Sequence, residues 1–335
     1  MTAVPAANRR VTAIDLTKGA LVVCMVIYHS LNYSAERGLA FKYLAFLPPS
    51  FIVITGFLLS HIYMAGYTIR DWRLHVRLIL RGLRLLALFT LLNVVVQLLV
   101  TRGPYGALPG LETFWDYRFE TYVSGDGTLA IFEVLLPIAY LLLLAPLLLC
   151  LERLHQLVVP AVTLVCLVLL TVWERKGVSW LNPQLMGAGF VGILLGRLTS
   201  VQLNRLANFK WLATLAYAGC FTVGIFWGQT FLHQVLSAVL ALAAIYGWTM
   251  GLRPQESHSA RRLELLGRYS LIAYIAQIGI LQILARFVGR PAPDSIAFLG
   301  LFVGTLLLTM ATVETLNWLR SRSAAVSGIY KVVFA

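Results

Sequence analysis

Long apolar runs separated by short polar connectors repeat along the whole chain. Most are about twenty residues long, the length a helix needs to cross the hydrocarbon of a bilayer. They fall at 13–33, 40–65, 78–100, 127–150, 156–173, 183–198, 209–227, 230–251, 267–287 and 296–319. The pattern predicts an all-α, polytopic membrane helix bundle of about ten transmembrane helices. One membrane domain over 13–322 lies between tails at 1–12 and 323–335. The sixth run is short and holds Gly187, Gly189, Gly192 and Gly196. It is either packed tightly against its neighbours or fails to span. In the second case nine crossings remain and the C-terminus changes side.

Composition agrees with a membrane protein. Hydrophobic residues make up 59% of the 335 and charged residues 12%, with a mean hydropathy of +0.80. Soluble domains carry roughly twice that charged fraction. The formal charge of +13 does not indicate nucleic acid, because Lys and Arg lie between apolar runs rather than in one aromatic-studded patch. With the N-terminus inside, only Arg37, Lys42, Arg102, Arg118, Arg175, Lys176, Arg286 and Arg290 of the 27 cations fall outside. Both termini are therefore expected in the cytoplasm. Arg9-Arg10 precede the first run as in a signal peptide, but no convincing small-residue cleavage site follows, so the run is read as retained. Cys24, Cys150, Cys166 and Cys220 lie in or beside apolar runs without a paired-thiol motif, and no metal is expected.

Asp15, Lys18 and His29 in the first run are the leading chemical candidates, since ionisable groups in a membrane segment point to function. Lys18 and His29 are eleven residues apart, which puts them on one helical face roughly 16 Å apart along the axis. Asp15 lies about 40° away on the same side. Asp15 and Lys18 are also near enough to the start to reach the headgroups. By topology Glu133 and His233 share the outer level of His29, and Glu314 shares the inner level of Lys18. Glu133 is a candidate acid–base partner of His29. In the outer loop, Trp115, Asp116, Tyr117 and Glu120 form an aromatic–acidic strip that reads either as a sugar-binding surface or as an interfacial belt. Arg77, Arg81 and Arg84 continue a stripe that begins at Arg70 and Arg73, an anchor on anionic lipid with phosphate binding as a second role.

These residues resemble acyltransferase family 3, within the integral-membrane acyltransferase superfamily. The family opens with Ile-Asp, a basic residue three positions on, Gly, and a His fourteen after the Asp; Ile14-Asp15, Lys18-Gly19 and His29 stand there. Lys18 replaces the usual Arg and offers a point charge instead of a bidentate fork. Phe51-Ile52-Val53-Ile54-Thr55-Gly56-Phe57 resembles the family's aromatic–aliphatic–Ser-Gly run, with Thr55 for Ser. Leu266-Gly267-Arg268-Tyr269-Ser270 through Tyr274 is similar to a late family segment that often has a second His where Gln277 stands. Phe132-Glu133 through Pro146 is similar, with a one-residue offset, to the group that succinylates periplasmic glucans. The opening pattern also occurs in the heparan-glucosaminide acetyltransferase-like group.

The resemblance implies a membrane O-acyltransferase of a bacterial inner membrane, acting on an extracytoplasmic or lipid-linked glycan hydroxyl. Acyl-CoA would be the donor, with acetyl the default and succinyl the variant. Lys18, with the Arg77, Arg81 and Arg84 stripe, would hold the donor's phosphates. His29 would take a proton from the acceptor or carry the acyl group. Asp15 would orient the inner end of the helix, and Tyr28, Asn32 or backbone amides would face the oxyanion. The rival from another class is a proton-coupled transporter or flippase, for which His29, Glu133 and the Pro48-Pro49, Pro137 and Pro183 breaks would serve equally. No internal hydropathy repeat supports it.

Overall fold

The computed structural model describes residues 12–64, 72–100, 118–125 and 132–334. Among the described residues the chain is helical without a strand. Lipid offers no partner to backbone N–H and C=O groups, so an open chain crosses it as helices that satisfy themselves. Along the chain these are α1 (Thr12–Asn32), α2 (Gly38–Tyr43), α3 (Leu47–Leu58, continuing as a π-helical turn Leu59–Met64), α4 (Trp72–Val100) and α5 (Arg118–Val123). Then come α6 (Leu135–Leu154), α7 (Val158–Arg175), α8 (Leu181–Leu195), α9 (Ser200–Asn208) and α10 (Lys210–Trp227). Last are α11 (Phe231–Thr249), α12 (His258–Arg268), α13 (Ser270–Val288), α14 (Ile296–Arg322) and α15 (Ala324–Phe334).

Eight helices among the described residues are long and apolar enough to cross a membrane, so this is a multi-pass membrane protein. The count is nine if α8 and α9, bent by 107°, form one broken span. The sixth and seventh runs account for the difference from ten. The sixth ends in that bend, and the seventh is α10, which opens on Lys210 and lies outside the eight. Residues 323–335, read as a tail, carry α15.

The chain gathers into two compact units. A mid-chain unit comprises Pro48–Gln202 and Gly224–Leu236. There α4 packs along α6, and α8 packs against α6 and α7 over a core including Ile52, Leu141, Leu185 and Ile193. Glycines of the sixth run pack tightly against α3. A Cβ on Gly192 would lie 2.1 Å from the Val53 carbonyl oxygen, and one on Gly56 2.0 Å from that of Gly189. Where apolar burial against lipid tails gains nothing, such backbone contact supplies the packing.

A terminal unit comprises Arg10–Leu47, Leu203–Val223 and Ser237–Ala335. In it α1 packs against α12, α13 and α14. The α1–α12 crossing is set by two glycines: a Cβ on Gly19 would fall 1.9 Å from the Leu263 carbonyl oxygen, and one on Gly267 1.6 Å from that of Asp15. At the other end the Ala35 amide donates to the Pro291 carbonyl at 3.0 Å. α1 and α13 therefore run side by side in the same direction. α14 returns antiparallel to α13, and Tyr269 at the start of α13 donates to Asn317 near the end of α14 at 3.0 Å.

Candidate active site

The first-run candidates all lie in the terminal unit. One turn apart on α1, Lys18 Nζ and Asp15 Oδ1 form an ion pair of 2.9 Å. Asp15 is 5% exposed, and the Lys18 side chain 18%. Enclosure of this kind requires pairing, because an isolated buried charge is strongly disfavoured. The pair sits at the glycine crossing, where Gly267 abuts the Asp15 carbonyl. Beside it Thr17 and Thr249 hydroxyls are 3.0 Å apart. Glu314, expected at the level of Lys18, accepts from Arg262 Nε at 3.0 Å.

Further along α1, the Tyr28 ring stacks on Phe41 with centroids 4.5 Å apart. His29 meets Tyr28 edge-on at 5.4 Å and Tyr274 of α13 at 6.0 Å. Its Nε2 is enclosed and has no hydrogen-bond partner among the described residues. Gln277, one turn beyond Tyr274, is fully buried with both amide atoms unpartnered, and so is the Thr309 hydroxyl on α14. Gln277 and Thr309 share a level. Each lies eight residues, about 12 Å of helix, from the Tyr269–Asn317 bond that ties α13 to α14. Tyr274 carries that level across to His29. Each of three mutually packed helices thus contributes one buried polar side chain with an open bond. Burying such groups unpaired costs about 1–3 kcal/mol apiece, which marks them as groups meant for something other than each other. By type, the imidazole nitrogen can accept a proton, and the amide and hydroxyl can donate hydrogen bonds to a developing oxyanion.

The other candidates are distributed elsewhere. Glu133 lies in the mid-chain unit, in the turn before α6, after Phe132 at a left-handed φ of 69°. Arg77, Arg81 and Arg84 lie on α4 of that unit, beside its buried Leu74 and Leu78 row. Glu120 lies on α5 and is exposed. Trp115, Asp116 and Tyr117 fall outside the described residues. His233, at the start of α11, packs its ring over Gly224.

Two features were missed in the sequence. Thr309 looks like any helical threonine, and only its neighbours single it out. An open pocket of about 590 Å³ lies between α12 and α14, lined by His258, Arg261, Arg262, Arg268, Glu314 and Asn317 with Glu264 and Leu265. In the sequence Arg261 and Arg262 served only as topology signals, and Arg268 also as part of the late family segment. α12 buries Ala260, Leu266 and Gly267, which leaves its charged face to the pocket.

A family model described as an acyltransferase domain matches residues 11–314, nearly the whole chain. No curated protein and no solved structure matches it.

Proposed function

The chain belongs to acyltransferase family 3, and we propose that it moves an acyl group from a cytosolic acyl-CoA to a hydroxyl of an extracytoplasmic or lipid-linked glycan. Acetyl is the default group and succinyl the variant. The observation that carries this reading is the open Nε2 of His29, enclosed near the level of Gln277 and Thr309. In the proposed step that nitrogen takes the acceptor's hydroxyl proton as the oxygen attacks the thioester carbonyl carbon. The C–S bond then breaks, and the departing sulfur takes the proton back from the imidazolium. The Gln277 amide and the Thr309 hydroxyl are the donors for the carbonyl oxygen as it becomes negative. Asp15 fixes Lys18 and with it the inner end of α1. The strip around Trp115, Asp116, Tyr117 and Glu120 is the proposed acceptor surface, and Glu133 a supporting acid–base group.

The test is cleavage of labelled acetyl-CoA and succinyl-CoA by purified protein with membrane glycan supplied as acceptor. Release of free CoA with label on the glycan is the expected result. Absence of both binding and cleavage, with proton-linked solute uptake in proteoliposomes, would replace this reading with the transporter.

A further inference from the structure

The pocket between α12 and α14 takes no part in the chemistry described at His29. Its volume of about 590 Å³ suits an organic ligand, yet Leu265 is the one apolar side chain among its lining residues. Its guanidinium groups are oriented but not saturated. Glu314 engages only Arg262 Nε, which leaves the terminal fork of Arg262 open. Glu264 takes one terminal nitrogen of Arg268, whose Nε is enclosed without a partner. The Arg261 backbone amide donates to the Ser257 carbonyl at 3.0 Å, while its guanidinium makes no hydrogen bond or ion pair among the described residues. Planar forks held this way match phosphate oxygens bidentately. Of the cations the family resemblance implies for this task, Lys18 is already paired with Asp15, and Arg77, Arg81 and Arg84 lie on α4.

We propose that this pocket binds the phosphates at the nucleotide end of the acyl donor, an inference that rests on acyl-CoA being that donor. Asn317 lines the pocket and stands on the same helix as Thr309, eight residues or about 12 Å away. A pantetheine arm running along α14 from phosphates held here spans that distance and delivers its thioester to the level of His29. A second pocket of about 370 Å³ shares His258, Arg261 and Glu264 and widens the site at the start of α12. That adds room for the base and ribose.

The experiment compares acetyl-CoA with acetyl-pantetheine, which has the same arm and no phosphate, on wild type and Arg261→Ala. Arg261→Ala breaks no internal bond, so the fold is kept. The expected result is a loss of about tenfold or more in acetyl-CoA affinity, with acetyl-pantetheine cleavage unchanged. Equal losses on both donors, or no loss on either, would overturn the proposal. A parallel arm measures binding to phosphatidylglycerol vesicles. If Arg261→Ala weakens vesicle binding and leaves acetyl-CoA affinity intact, the phosphate is a lipid headgroup and the donor assignment falls. Wild-type protein that binds acetyl-pantetheine but not acetyl-CoA would contradict only the pocket. Wild type that binds neither would overturn the donor reading and this inference together.

Discussion

His61 and His29 both stand in apolar spans, and they are used in opposite ways. In the mid-chain unit, His61 sits on the π-helical turn with Nδ1 3.1 Å from the Gly196 carbonyl and its ring stacked on Phe57. Its neighbours follow the same habit. Asn182 donates to the carbonyls of Thr121 and Tyr122 at 3.1 and 3.2 Å. Tyr140 donates to Tyr122 at 2.6 Å, and Glu174 receives the Phe231 amide. Asn182 Oδ1 and Glu152 Oε2 are enclosed without partners, but each residue's other polar atom is bonded. In the terminal unit His29 has ring contacts only, and Gln277 is open at both amide atoms. One unit spends its polar groups on holding backbone ends, while the other keeps three on mutually packed helices unengaged. A buried polar side chain is therefore informative by what it lacks, not by being polar.

The contrast can be broken most forcefully at the two histidines. His29→Ala is expected to lower acetyl-CoA cleavage by about 100-fold or more, whereas His61→Ala should retain most of it; equal losses in the cleavage assay would erase the distinction. Next comes the crossing that sets α1 against α12. A Cβ at Gly267 would lie 1.6 Å from a backbone oxygen, so Gly267→Ala should cost about 3 kcal/mol or more. Gly219, with nothing within 4 Å, tolerates the same change. Unfolding temperatures in detergent check the pair. Asn182→Leu strips a donor from two carbonyls and should cost about 1–3 kcal/mol with the His29 chemistry intact, as parallel unfolding and cleavage assays would show. The smallest effect is expected at Lys18. Lys18→Arg should match wild type, and Lys18→Ala should lose about 1 kcal/mol by removing the ammonium from the Asp15 carboxylate; a thermal shift of the opposite order would contradict the ion pair's role.

Much of the fold was legible because apolar runs and helices share one cause. Each of the ten runs coincides largely with helix, and the first, 13–33, matches α1 to within a residue at either end. The sixth run's glycines predicted close packing, but the 107° bend after α8 did not follow from them. Asp15 and Lys18 sit at a spacing that permits pairing, so their contact could be anticipated. Lateral neighbours could not. Glu314 was set against Lys18 by depth alone, while Arg262, 52 positions away, reaches it first. Tyr274 and Gln277 entered through family likeness, and Thr309 carried no signal at all. The α12 pocket was invisible for a different reason: spacing shows that arginines share a helix, not that a second helix closes a cavity over them.

The most direct test of the unengaged polar level is Gln277→Leu, with unfolding temperature and acetyl-CoA cleavage measured on the same preparation. Removing an amide that bonds to no group among the described residues should leave the unfolding temperature unchanged or raised, while cleavage falls by about tenfold or more. A lowered unfolding temperature with cleavage intact would make Gln277 a structural residue and contradict the account.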